Sequence, residues 1–543
     1  MTTTHDVFNQ VPPLVGHDTS NDAALREGLE REGAGWALDE ISELGRLAGT
    51  AEAQELGRLA ERTRPVLHTH DRYGNRIDEV EYTPAYHELM DIAVSHGLHG
   101  AAWADDRPGA HVARAAKFMV WNVDAGHGCP ISMTYAVVPA LRANPALSAE
   151  FEPLLTNREY DFGLRDPATK RGLIAGMSMT EKQGGSDVRA NTTSATPQAD
   201  GTHALVGHKW FTSAPMSDMF LTLAQAPAGL SCFLVPRVTP GGTLNPIRLM
   251  RLKDKLGNRS NASAEIEYDG AVGWLVGEEG RGVRTIIEMV NMTRLDCVIG
   301  STSGMRSGLV QAAHHARHRS AFGKSLIEQP LMRNVLADLS IESEAATSAM
   351  IRLAGANDRA IRGDEGEAAL RRIALAVTKY YVCKRAPVAV GEALECLGGN
   401  GYVEDSDLPR LYREMPLLSI WEGSGNVAAL DALRALAREP HTLDAYFGEV
   451  EQAEGADSHF DEALARLKKE FTSFDDLEHR ARRIVEQLAL VFQGSLLLRH
   501  SPHAVADAFC ASRLGRDWGG ALGTLPTGLD LAPILDRAWA GHS

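Results

Sequence analysis

From about Leu25 to Met133 apolar residues recur at three- and four-residue spacing in alanine-rich stretches, interrupted by polar loops such as THDRYGNR. That period predicts helices. Between about Gly176 and Val276 the pattern changes to short runs, HALVGHKWF, FLTLAQ, SCFLVPR and SAEIEY, bounded by Gly, Pro, Asn and Asp, and these predict strands. In SAEIEYDG, Ala264, Ile266 and Tyr268 alternate with Ser263, Glu265 and Glu267, which puts the apolar groups on one strand face. After VGEEGRGV the helical period returns and runs to about Arg438 through LMRNVLADLSIESEAATSAMIRLA. The acidic, weakly periodic REPHTLDAYFGEVEQAEGADSHFD predicts a linker before a last helical unit from about residue 458. In that unit Leu477, Ala481, Ile484, Leu488 and Val491 form one helical stripe, with Arg480, Arg482, Arg483 and Glu486 off it. The expectation is an α+β protein in four parts: a helical region 1–175, a middle β domain 176–276, a second helical domain 277–440 and a C-terminal helical domain 441–543.

Composition narrows the function classes. A chain of 543 residues exceeds one hydrophobic core, and 44% hydrophobic with 23% charged residues is the balance of a globular protein. The formal charge of −16, from 71 acidic against 55 basic side chains, repels nucleic acid and anionic membrane except at a local basic patch. Six scattered cysteines without a CxxC pair give neither a zinc site nor a disulfide framework, so reduced thiols are expected. The opening MTTTHDVFNQVPPLVGHD lacks the basic and apolar regions of a signal peptide, and no apolar run is long enough to cross a bilayer. A cytoplasmic protein without a membrane span is the reading.

In MTEKQGGSDV the hydroxyls of Thr180 and Ser186 stand beside paired glycines, a turn whose backbone N–H groups can approach a planar ligand. On spacing alone an ordinary loop is the commoner case. GHKWFTS sets Trp210 beside Thr212 and Ser213, a stacking surface next to hydroxyls, although a core tryptophan is commoner in a strand. GEEGRG near Gly277 has the wrong glycine spacing for a dinucleotide fingerprint. His314 and His318 share a helix face, and His68 and His70 sit close in sequence, but neither pair has the partners of a metal site, and no metal is expected.

Taken in order along the chain, these segments resemble the acyl-CoA dehydrogenase family, and MTEKQGGSDV with GHKWF resembles its AidB branch, the adaptive-response flavoproteins. The resemblance implies a flavoenzyme: an FAD-dependent oxidoreductase with a middle β domain between helical domains. It assigns Met179, Thr180, Gly185, Ser186, Trp210, Phe211, Thr212 and Ser213 to the flavin. RSAFGKSLIEQ resembles the stretch that reaches a neighbouring subunit's FAD, which carries over Arg319, Phe322 and Gln329. LGGNGY resembles the glycine loop offered to the same neighbour, giving Gly398 and Gly399, with Glu395 where most relatives have glutamine. A cofactor site shared between subunits implies a homotetramer, a dimer of dimers.

SIWEGSGN resembles the segment whose glutamate removes the α-proton of an acyl thioester while the β-hydride passes to the flavin, making Glu422 the catalytic base. Trp421, Gly423, Ser424 and Asn426 come over with it as cofactor contacts. NMTRL aligns with the substrate-binding helix and gives Asn291 and Arg294, with asparagine where relatives carry an acid. The implied partners are an acyl-CoA and an electron acceptor of unknown identity. The AidB branch also implies a role in DNA alkylation damage, through double-stranded DNA bound by the C-terminal domain. Residues 441–543 hold 10 Lys plus Arg against 16 Asp plus Glu, so only a local ridge of Arg466, Lys468, Lys469, Arg480, Arg482 and Arg483, helped by Arg434, could meet phosphate. A solvated helix face is the equal alternative. A DNA-binding flavoprotein with residual dehydrogenase activity is therefore the second functional reading.

Overall fold

The computed structural model describes residues 4–472 and 475–539. The chain forms two compact units, each assembled from separated stretches: one from Glu52–Ala110 with Val123–Asp296, the other from Met1–Ala51, His111–Asn122 and Cys297–Ser543.

The first unit is built on a seven-stranded sheet. Its path runs Ala175–Ser178, Met219–Ala226, Ser194–Pro197, His203–Ser213, Ser263–Val276 and Gly229–Pro236, with Ile247–Leu252 paired to Ser263–Val276. Met219–Ala226 also pairs antiparallel with Gly229–Pro236, so the path closes on itself and the central strands have no open edge. Strand residues that read as a continuous apolar run are buried on both faces, among them Phe220, Leu221, Phe233 and Leu234. Ala264, Ile266 and Tyr268 are buried as their alternation predicts, and Ser263 departs from it, buried beside Ser213. Helices Pro84–Ser95, Ala125–Leu141 and Pro145–Leu155 start at Thr83, Asp124 and Asn144, whose side chains accept first-turn N–H groups. One stretch expected to be helical is not: Val66–His70 and Arg76–Glu81 form a hairpin, and THDRYGNR supplies its turn. Asp71 accepts the N–H groups of Tyr73 and Asn75 there, a turn chemistry that overrode the flanking helical period.

The second unit is helical. Pro330–Ile361 and Glu365–Cys396 are its two longest wholly internal helices, joined through Gly363 at φ +97° and capped by Asp364. In Leu477–His500 the predicted stripe is buried at Ala481, Ile484, Leu488 and Val491, and Arg482, Arg483 and Glu486 are exposed. The linker expected after Arg438 is instead a packed helix, His441–Val450, with Thr442, Tyr446 and Val450 buried at i, i+4 and i+8. Its Glu449, an acid of the stretch expected to be a linker, lies against Arg352 at 2.8 Å and Arg499 at 2.6 Å. The C-terminal segment is also pinned by Arg513, fully buried on Asp338 and Glu342 of Pro330–Ile361. No described helix is long and apolar enough to cross a membrane.

Candidate active site

In the sheet unit, strand Ala175–Ser178 runs into the turn that carries Met179, Thr180, Gly185 and Ser186. Beneath that turn lies Glu181, only 1% exposed. It accepts the N–H groups of Thr192 at 2.7 Å and Thr193 at 3.1 Å, and the ammonium of Lys209 at 2.9 Å. Burial works to raise its pKa, but these bonds and the charge of Lys209 outweigh it and hold the carboxyl at about 2. The Trp210 N–H donates to Thr180 O at 2.7 Å and Asn191 Nδ2 to Met179 O at 2.9 Å, which fixes the backbone on either side. Gly185 and Ser186 remain exposed, and a Cβ at Gly185 would lie 2.6 Å from Thr180 Oγ1.

Between Lys209 and Thr212 the register of His203–Ser213 against Ser263–Val276 slips. A bulge of this kind re-aims side chains, and here it leaves Phe211 half exposed and Trp210 half-buried, with Lys253 Nζ 3.4 Å from the Trp210 ring centroid. Thr212 is buried and its Oγ1 lies 2.5 Å from Ser178 Oγ, while Ser213 Oγ is 3.3 Å from Ser263 Oγ. Both hydroxyls are engaged within the sheet. On Gly282–His318, Asn291 is half-buried and Arg294 is buried, three positions apart and therefore on one helix face. Sequence reasoning missed Glu181, Lys209, Asn191 and Lys253, which hold the turn and the indole. Only the positions of Glu181, inside MTEKQGGSDV, and of Lys209, next to Trp210, hinted at any of them.

In the helical unit Glu422 lies in the turn between Leu408–Ile420 and Gly425–Arg438, half-buried, at φ +57°. Trp421 ends the first helix, Ser424 precedes the second, and Ser424 and Asn426 are exposed. Phe322 sits in a small hairpin, Ser320–Ala321 with Lys324–Ser325, whose Phe322–Gly323 tip has φ +54° and +79°; Arg319 directly precedes it and Gln329 follows it as the cap of Pro330–Ile361. Phe322 is fully exposed. Arg319 Nη1 donates to Asn9 O at 2.5 Å and Gln329 Nε2 to Ala321 O at 3.1 Å. Glu395, Gly398 and Gly399 are exposed at the end of Glu365–Cys396, with Gly398 at φ +60° and open space around both glycines.

The structure engages most of the basic ridge with acids or carbonyls. Arg480 and Arg483 both lie on Glu470, at 2.6 and 3.5 Å, Lys468 on Glu451 at 2.9 Å, and Arg466 donates to Leu514 O at 2.8 Å. Arg482 stands over the Tyr380 ring at 5.9 Å, and Arg434 and Lys469 are exposed. His314 Nε2 bonds to Pro12 O at 2.8 Å.

An aromatic surface beside exposed turn amides suits a flavin, a half-buried carboxylate at a helix junction suits proton abstraction, and an exposed phenyl on a hairpin suits a contact in trans. Comparison with known proteins shows the family to which the chain belongs. The chain matches the adaptive response protein AidB N-terminal domain at residues 9–162, the acyl-CoA dehydrogenase middle domain at 176–271 and the acyl-CoA dehydrogenase C-terminal domain at 280–437. It belongs to the acyl-CoA dehydrogenase family, whose members are FAD-binding oxidoreductases. Within that family it falls in the AidB branch: it is 48% identical to Escherichia coli K12 AidB, provisionally named an acyl-CoA dehydrogenase, over 93% of this chain and 94% of that one. The crystal structure of Caenorhabditis elegans ACDH-11 in complex with C11-CoA superposes with a TM-score of 0.86 at 29% identity, covering 95% of this chain and 94% of that one. A Bacillus anthracis acyl-CoA dehydrogenase complexed with FAD shares the fold, with a TM-score of 0.61 at 19% identity over 84% of this chain and 82% of that one.

Proposed function

We propose that the protein is an FAD-dependent dehydrogenase of an acyl-CoA thioester in which Glu422 takes the α-proton. The observation that carries the reading is the placement of Glu422 on a left-handed turn between two helices, within a chain alike along nearly its whole length to a protein crystallised with C11-CoA. Thr180, Gly185, Ser186, Trp210 and Phe211 hold the flavin. Bound FAD supplies the two-electron acceptor for the β-hydride. A thioester α-proton is a weak acid, and a carboxylate partly withdrawn from water is a stronger base towards it than one in bulk solvent. Asn291 and Arg294 orient the thioester end of the substrate. Arg319, Phe322, Gln329 and the Gly398–Gly399 loop serve a neighbouring subunit's cofactor, and the assembly is a homotetramer. Anaerobic titration with a panel of acyl-CoAs tests the chemistry: the flavin absorbance bleaches in the wild type, and Glu422→Gln retains FAD but does not bleach. A wild type that no thioester reduces would refute the reading.

Duplex DNA binding is the weaker alternative, because most of its candidate cations already face carboxylates or carbonyls. Binding that weakens steeply with salt and with Arg434→Gln plus Lys469→Gln would restore it.

A further inference from the structure

We propose that Lys379, a buried lysine of Glu365–Cys396, is the positioning residue that holds the Glu422 turn in its left-handed conformation; this rests on Glu422 being the base. Lys379 is 1% exposed. Its ammonium donates to Ser419 O at 3.3 Å and, at shorter range, to Gly423 O. Those two carbonyls bracket Glu422, three positions before it and one after.

The helix Leu408–Ile420 makes its last backbone bond from Trp421 N–H to Leu417 O. Ser419 O therefore lies beyond the ladder, one of the carbonyls a helix leaves at its C-terminus, where a cation is also favoured by the helix dipole. Two successive residues then take positive φ, Glu422 at +57° and Gly423 at +105°. Glycine adopts that backbone freely, whereas glutamate must be held in it. A neutral side chain could fill the same space, but it would leave two carbonyls without a strong donor where the chain reverses. The lysine thus fixes the backbone that aims the carboxylate, without touching the substrate itself.

The test compares wild type, Lys379→Met and Lys379→Arg as holoenzymes, by hydrogen exchange of the amides of residues 420–426 and by steady-state kinetics. Lys379→Met is expected to speed exchange in that segment about tenfold or more and to lower kcat about tenfold or more with KM within about threefold, and Lys379→Arg to recover most of both. Unchanged exchange overturns the proposal, and so does faster exchange with unchanged kcat, which would mark a purely structural lysine. If no thioester reduces the wild type, the catalytic reading fails separately, and exchange alone decides whether Lys379 sets the turn. Should Lys379→Met not fold, it is combined with Glu422→Gly: glycine takes the left-handed turn unaided, so recovery of folded protein in the pair supports the proposal and continued loss overturns it.

Discussion

Glu422 and Phe322 both hold left-handed backbone, at φ +57° and +54°, where a side chain costs on the order of 1 kcal/mol. Neither is the Asn or Asp that tolerates this region, so each must be held there by its surroundings. For Glu422 the consequence is a trade: Glu422→Gly should raise stability by up to about 1 kcal/mol, as the cost of the left-handed residue disappears, while abolishing flavin reduction by thioester. Thermal unfolding of the two holoproteins measures the first effect and anaerobic titration the second. A clear loss of stability would mean the carboxylate is held by favourable contacts rather than against strain. SIWEGSGN singles the residue out as a candidate; its backbone was not legible, because the sign of φ depends on how two helices meet, and no local pattern encodes that.

The turn of residues 179–188 is legible as an element, but what holds it is not. MTEKQGGSDV reads as a glycine turn, yet its rigidity comes from Glu181 reaching Thr192, Thr193 and Lys209, the last 28 positions away. Removing the ammonium with Lys209→Met would leave a buried carboxylate unpaired, at a cost of roughly 3–5 kcal/mol, and should loosen FAD in the same step. The pH dependence follows from the direction of the shift. Glu181 is held at about 2 in the folded protein against an ordinary 4.5, so its contribution is fully present above the unfolded value and is lost as pH falls from there towards 2. Acid titration of stability should therefore show a smaller loss across that window in Lys209→Met than in wild type, and an equal loss in both would remove Glu181 as the sensor. The helix His441–Val450 escaped for a similar reason. Its acidic texture suggested solvent, whereas Glu449 is matched by Arg352 nearly a hundred positions earlier.

For the whole molecule, the succession of helical, strand and helical texture was enough to give the α+β class, because burial imposes the periods of 3.6 and 2 directly on the chain. The interleaving of two compact units was not legible, since Met1–Ala51 and His111–Asn122 join the helical unit only through contacts distant in sequence. Assembly is the remaining question at this scale, and it turns on the hairpin that follows His318. A fully exposed phenyl on a left-handed tip buries nothing within its own chain, yet apolar groups that expensive to display are usually completed by another surface. If that surface belongs to a neighbouring subunit and its cofactor, then FAD binding and assembly are linked, and each stabilises the other. Phe322→Asp should accordingly leave the helical and sheet content unchanged while lowering FAD occupancy and shifting the sedimenting species to a smaller size than that of the wild type, both in a manner that added FAD partly reverses. A wild type that sediments as a monomer with one FAD per chain would break the linkage, since the hairpin and the Gly398–Gly399 loop would then have no neighbour to serve.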